Sequence, residues 1–191
     1  MSTEHPEEGR VVRFPTGGVS GEVDIGQLFD AHAAYLVRVC IRLTGSRAAA
    51  EDIVQEVFVT AHRRRGDLIP DSNLRTWLYR VAVNLVRHHH RSSGRFNRFV
   101  DRYKVDPREA PAGPDVDVER VERAHLVRDC VAELSEKQRE VFVLYELEGI
   151  SGQEISEVLG IKLNTVWSRL RLARKAFRAE WQRRHGEGDH P

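Results

Sequence analysis

The chain has little with which to build a disulfide-stapled or membrane-spanning protein. Only two cysteines occur in 191 residues, Cys40 and Cys130, far apart in sequence, so no disulfide framework is implied. Both fall on apolar helical faces and are expected to be buried, reduced thiols. No run approaches the roughly 20 apolar residues that a bilayer-spanning helix needs, so membrane insertion is not expected. The N-terminus, MSTEHPEEGR, is acidic and lacks the apolar core of a signal peptide, which makes the cytoplasm the expected location. Strand-like alternation and internal repeats are missing. So are an HExxH pair, a paired-cysteine set and a glycine-rich phosphate loop, and no metal, cofactor or small-molecule substrate is expected.

What the chain does have is charge and helical periodicity. Hydrophobic residues make up 40% and charged residues 31%, a balance that suits small helical units with thin cores. The net charge of +1 conceals a strong alternation. Residues 1–24 are acidic. From 75 to 104, Arg75, Arg80, Arg87, Arg91, Arg95, Arg98, Arg102 and Lys104 face only Asp101. The stretch 105–122 turns acidic again, and Lys162 to Arg184 is basic, relieved by Glu180 alone. Two basic blocks in separate helical units suggest two contacts with a polyanion.

The punctuation divides the chain. Residues 1–23 lack periodicity and contain Pro6, Pro15, Gly17 and Gly18, the composition of a disordered arm. Ile25, Leu28, Phe29, His32, Leu36, Val39, Cys40 and Leu43 then recur at helical spacing up to Gly45, a C-terminal stop. Ser46 can cap a second helix with Ile53, Val54, Val57, Phe58 and Ala61 on its apolar face. A polar loop, 66–73, precedes a third helix with Leu74, Trp77, Leu78, Val81, Ala82 and Leu85 inward and Arg80, Asn84, Arg87 and Arg91 outward. These elements make a helical domain over 24–104. The run VDPREAPAGPDVDV places an acidic, proline-rich linker at 105–119. A second helical domain over 120–184 follows, with a short disordered tail at 185–191. The expected fold is all-α, two small domains on a linker.

The second domain carries the most specific pattern. Ser135 with Gln138, and Ser151 with Glu154, are capping-box pairs that open two helices. Gly160 makes a tight turn after the second of these, and a long basic helix starts near Leu163. Two helices joined by a three- to four-residue glycine turn form a helix-turn-helix. Ile155, Leu159, Ile161, Val166 and Leu170 are spaced to pack the pair together. That frees the start of the second helix to enter a major groove. Asn164, Thr165, Trp167, Ser168 and Arg171 lie on or beside its open face, and Arg169, Arg174 and Lys175 are placed to meet phosphates.

In the first domain, Trp77 and Tyr79 sit beside Arg75 and Arg80, a combination that suits stacking on unpaired bases. Trp77 also fits the apolar stripe and reads first as core. Ser72, Asn73 and Asn84 are better suited to hydrogen-bond an exposed base edge.

The runs DIVQEVFVTAHRR, LRTWLYRVAVNLVRHHHR and LSEKQREVFVLYELEGISGQEISEVLGIKLNTVWSRLRLARKAF resemble the extracytoplasmic-function sigma factors of bacteria. The resemblance spans about residues 25–95 and 120–180, both domains in the family's order. It implies an alternative sigma factor that binds core RNA polymerase and directs promoter-specific initiation, with no catalysis of its own. On that resemblance Asp52, Gln55, Glu56 and Phe58 fall where the family meets the polymerase clamp. Ser72, Asn73, Arg75, Trp77, Arg80, Asn84 and Arg87 fall where it opens and holds the −10 element. Asn164, Thr165, Trp167, Ser168, Arg169, Arg171, Arg174 and Lys175 fall where it reads the −35 element. An anti-sigma protein is implied as a further partner. The sequence departs from the family's pattern in a longer 66–73 loop, in Leu74, in Trp167 where a basic residue is usual, and in the apolar Leu172.

Two other readings compete. A stand-alone helix-turn-helix regulator would bind duplex DNA without polymerase, but it leaves the first domain's basic helix without a task and no helix is left over for dimerisation. A metal enzyme is prompted by His88, His89 and His90, yet consecutive helical residues point about 100° apart and cannot converge on one ion.

Overall fold

The computed structural model describes residues 23–68, 73–96 and 118–185. Ser72, most of the expected arm and linker, and the tail beyond position 185 lie outside the described residues. No strand occurs among the described residues.

Three helices form the first domain: α1 (Ile25–Thr44), α2 (Arg47–Arg63) and α3 (Leu74–Phe96). Local chemistry sets their ends. Asp24 caps α1, its carboxylate accepting from the Gly26 and Gln27 amides at 2.8 and 3.2 Å, which satisfies amides that have no partner within the helix. Gly45 ends α1 at φ +73°, a conformation open to glycine without steric cost. Ser46 Oγ accepts from the Ala49 amide at 3.3 Å and Asn73 Oδ1 from the Thr76 amide at 3.2 Å. The core joins Leu36, Val39, Cys40 and Leu43 of α1 to Ala50, Val54 and Val57 of α2 and Leu78 and Ala82 of α3. Each leucine or valine among them contributes about 1.5–3 kcal/mol when fully buried. Both cysteines are buried, and burial pushes the Cys40 thiol up to about 12.

The second domain comprises α4 (Val118–Ala132), α5 (Glu136–Phe142) continued by a π-helical turn (Val143–Leu147), α6 (Gly152–Leu159) and α7 (Leu163–His185). Helix α4 starts inside the stretch read as linker, so Val118 and Glu119 are helical. Val23, read as the end of the arm, is buried against the core. Helix α7 is the spine and packs on α4, α5 and α6. Phe177 stacks on both Phe142, at 4.8 Å, and Trp181, at 5.9 Å.

The domains are not held apart. Helix α3 packs against α6, and α1 against the π-helical turn, which changes the burial expected along α3. Tyr79, Val83 and Val86 are fully buried, whereas Trp77, Val81 and Leu85, expected inward, are only half-buried. A helix clasped between two domains buries two stripes, and period counting for one domain finds only one of them. Phe29, also expected inward, is 46% exposed and meets Phe58 edge-on at 4.9 Å.

Candidate nucleic-acid interface

The helix-turn-helix is built as the residues dictate. The Ser151 hydroxyl accepts from the Glu154 amide at 3.2 Å, while the Glu154 carboxylate accepts from the Ser151 amide at 3.2 Å, a reciprocal capping box. Gly160 turns the chain at φ +64°. The Ser156 hydroxyl donates to the Ile161 carbonyl at 2.6 Å and fixes the turn from the other side. Ile155, Val158, Leu159, Val166 and Leu170 are buried between α6 and α7.

Burial of Val166, Leu170 and Ala173 fixes which side of α7 is open. Asn164, Trp167, Ser168, Arg171, Leu172 and Lys175 are exposed along it, and Thr165 and Arg169 flank it half-buried. Trp167 is 42% exposed and Leu172 45%. Arg174 is already engaged: its Nε meets Glu146 Oε1 at 2.6 Å and its guanidinium lies over Tyr145 at 5.5 Å. A cationic face with apolar and amide groups among the charges has the means both to hold a phosphate backbone and to discriminate base edges.

The basic face of α3 is divided. Arg75 is exposed and lies over two rings, Tyr35 at 5.8 Å and Tyr79 at 5.6 Å. Asn84 is exposed and Trp77 half-buried. Asn73 is exposed while serving as the cap of α3. Arg80 and Arg87, read from sequence as solvent-facing, instead lie at the seam between domains. Arg80 Nη2 comes within 3.9 Å of where a β-carbon on Gly160 would stand. Arg87 pairs with Glu140 through Nε to Oε1 at 2.5 Å and Nη2 to Oε2 at 2.8 Å. The hydrogen bond to Glu140 holds the Arg87 guanidinium above its ordinary pKa.

Further contacts close the same seam. Arg42 pairs with the Glu148 carboxylate and donates to the Leu147 carbonyl at 3.3 Å. Arg139 donates to the Leu43 carbonyl at 3.2 Å, and Tyr35 Oη to the Glu148 carbonyl at 3.5 Å. Burial, together with Glu148, pushes the Tyr35 phenol up to about 12. Sequence reasoning missed these residues, although Glu140 gave a signal. It is a lone carboxylate at the head of the buried run Val141, Phe142, Val143 and Leu144.

On α2, Asp52, Gln55 and Glu56 are exposed, whereas Phe58 is buried against Phe29. Asp52 and Glu56 line a shallow cleft with Ile53, Leu85, His88 and His89. His90 does not line that cleft but reaches the Leu43 carbonyl at 3.3 Å, its ring edge-on to that of His89 at 6.0 Å. Among the described residues no group of three or more His, Cys, Asp or Glu side chains is placed to hold a metal ion. No helix there is long and apolar enough to cross a membrane.

Comparison with known proteins places both units. Residues 28–96 match the Sigma-70 region 2 family and residues 124–177 the Sigma-70, region 4 family. The chain is 36% identical to the ECF RNA polymerase sigma factor SigL of Mycobacterium tuberculosis, over 81% of this chain and 87% of that protein. It is 32% identical to the RNA polymerase sigma-H factor of Pseudomonas aeruginosa, over 74% and 78% of the two chains. Among solved structures, CnrH in complex with the cytosolic domain of CnrY shares 27% identity over 81% of this chain and 85% of that one, with a TM-score of 0.59. The fold is also that of the sigma factor RpoE bound to the anti-sigma factor NepR from Bartonella quintana, with a TM-score of 0.67 at 22% identity over 82% and 96% of the chains. A basic helix-turn-helix behind a basic three-helix unit, matched in order by these relatives, places the chain in the ECF RNA polymerase sigma factor family, as an alternative sigma factor that directs promoter-specific transcription by RNA polymerase.

Proposed function

We propose that the two domains divide the promoter between them. The open face of α7 reads the −35 element in the major groove. Asn164, Thr165, Trp167, Ser168 and Arg171 are aimed at base edges, and Arg169, Arg174 and Lys175 at the backbone. The loop ending in Ser72 and Asn73, with Arg75, Trp77, Arg80, Asn84 and Arg87 of α3, opens the −10 element and holds its bases unstacked. Extruding a base costs a few kcal/mol, and binding the extruded form favours melting without a nucleotide-driven motor. Asp52, Gln55 and Glu56 dock on the polymerase clamp, with Phe58 supporting them from the core. The chain contributes no catalytic residue and acts in the cytoplasm. Its functional divisions are a domain over 24–104, an acidic linker over 105–119 and a reading domain over 120–184, with an arm before and a tail after.

The exposed, cationic and apolar face of α7 is the observation that carries this assignment. Arg80 and Arg87 reach DNA only when the seam opens, so separation of the domains accompanies promoter engagement. The sigma factor RpoE, which shares this fold, is bound to the anti-sigma factor NepR, and this supports a captor of that class for this chain too.

Permanganate probing of promoter thymines in the holoenzyme tests the division of labour. Asn84→Ala is expected to remove the unpaired-thymine signal at the −10 element while −35 protection persists, and Arg171→Ala to weaken protection at −35. Loss of both signals together in either variant contradicts the division.

A further inference from the structure

Trp167 stands on the open face of α7, 42% exposed, and the rest of its ring is seated. The ring meets Tyr145 edge-on at 5.6 Å. Its Cη2 and Cζ2 lie over Gly152, where an added β-carbon would stand 2.5 Å from both. Gly152 is not among the positive-φ glycines, so its backbone does not call for glycine. The indole does: any side chain at position 152 would occupy the space the ring fills. Tyr145 is itself held beneath Arg174, at 5.5 Å, and Arg174 is anchored on Glu146. The ring is thus ordered in the free protein and loses little rotamer freedom on binding.

Its neighbours on the open face are polar. The Ser168 hydroxyl donates to the Asn164 carbonyl at 2.8 Å, and Arg171 stands one turn further on. The indole fixed among these polar readers carries no charge for a phosphate, and apart from its single N–H it offers an apolar ring. In the major groove the apolar group on a base edge is the thymine C5-methyl. We infer that Trp167 is a specificity-determining residue whose preordered ring takes the methyl of one thymine in the −35 element. That position is thereby fixed as an A·T pair in one orientation. The inference rests on the assignment of α7 to the −35 element.

The test uses holoenzyme made from the full chain and bacterial core polymerase, with a −35 element that this holoenzyme selects from a randomised duplex pool. Each thymine of the element is replaced in turn by deoxyuridine, which removes the methyl and nothing else. One replacement is expected to lower occupancy about fourfold, the worth of one buried methyl-sized group. Trp167→Ala is expected to abolish the difference between thymine and deoxyuridine at that position alone. Gly152→Ala, which displaces the ring without removing it, is expected to do the same. The thymine-to-deoxyuridine ratio is insensitive to a fraction of misfolded variant. If no replacement separates the wild type from Trp167→Ala, or if that variant weakens every −35 sequence alike, the inference is overturned and the −35 assignment stands. If no −35 element is selected, or Arg171→Ala selects and binds like the wild type, the assignment fails and the inference with it.

Discussion

Arg87 of the first domain and Glu140 of the second grip each other through two hydrogen bonds, at 2.5 and 2.8 Å. Such two-point pairing fixes direction as well as distance. Glu140 is 2% exposed, and Arg87 keeps a quarter of its side chain in contact with solvent. The pair ties α3 of the first domain to α5 of the second, and Arg42–Glu148 ties α1 to the end of the π-helical turn.

Glu140→Gln keeps the shape of the side chain and removes its charge. It is expected to weaken the seam by about 1.5–3 kcal/mol, the range for a hydrogen bond to a charged group. A donor–acceptor dye pair on the two domains should report a longer mean separation, and holoenzyme should assemble faster with core polymerase. Unchanged separation would mean that the pair does not govern closure.

Arg171 and Arg174 are three positions apart and differently placed. Arg171→Ala is expected to cost about 1–3 kcal/mol on the cognate −35 sequence and much less on others. Arg174 is tied to Glu146 and Tyr145, so Arg174→Ala is expected to weaken all sequences and to lower the melting temperature as well. Affinity titrations on cognate and scrambled duplexes separate the two behaviours. Equal losses on both duplexes for Arg171→Ala would make it a backbone contact.

Gly160 turns the helix-turn-helix at φ +64°, and a β-carbon there would meet Arg80 at an ordinary 3.9 Å. The cost of Gly160→Ala is therefore conformational rather than steric, about 1–2 kcal/mol. Chemical denaturation measures it, and Gly160→Asn, which tolerates the left-handed region better, should recover part of the loss. An undiminished midpoint for the alanine variant contradicts this.

His90 gives stability a pH dependence. Burial pushes its imidazole below the ordinary value, and Arg139 and His89 act in the same direction, while the Leu43 carbonyl and Glu136 oppose them. The unfolded chain therefore takes up the proton at a higher pH than the folded protein does. This contribution is full above about pH 6.5, the unfolded value, and is lost as the pH falls through the lowered folded value. Melting temperature should fall on acidification through that window, with a shallower slope in His90→Gln, which keeps a donor for the Leu43 carbonyl. Identical slopes in the two proteins contradict the assignment.

The residues that made the architecture legible are those whose effect is local. Gly45, Ser46, Ser151 with Glu154, and Gly160 end or begin helices where the sequence places them, because capping depends on neighbours a few positions away. The open side of α7 was legible for the same reason, since its apolar period has one core to face. Helix α3 was not fully legible. Tyr79, Val83 and Val86 are buried beyond the stripe that period counting finds, on a helix that packs against α6 of the second domain as well as against α1 and α2. Arg80 and Arg87 match a solvated face as well as a seam, and only the opposing Gly160 and Glu140 decide between them. Gly152 shows the remaining limit. In sequence it is the start of a helix, and its purpose is visible only with the indole of Trp167 above it.

The central claim, promoter-directed initiation with polymerase, is tested most directly by run-off transcription with purified chain and bacterial core polymerase on a pool of genomic fragments. The account predicts discrete transcripts absent with core alone, sharing one upstream sequence pattern, and lost with Arg171→Ala. No transcripts from a folded chain that still binds duplex DNA on its own would contradict it.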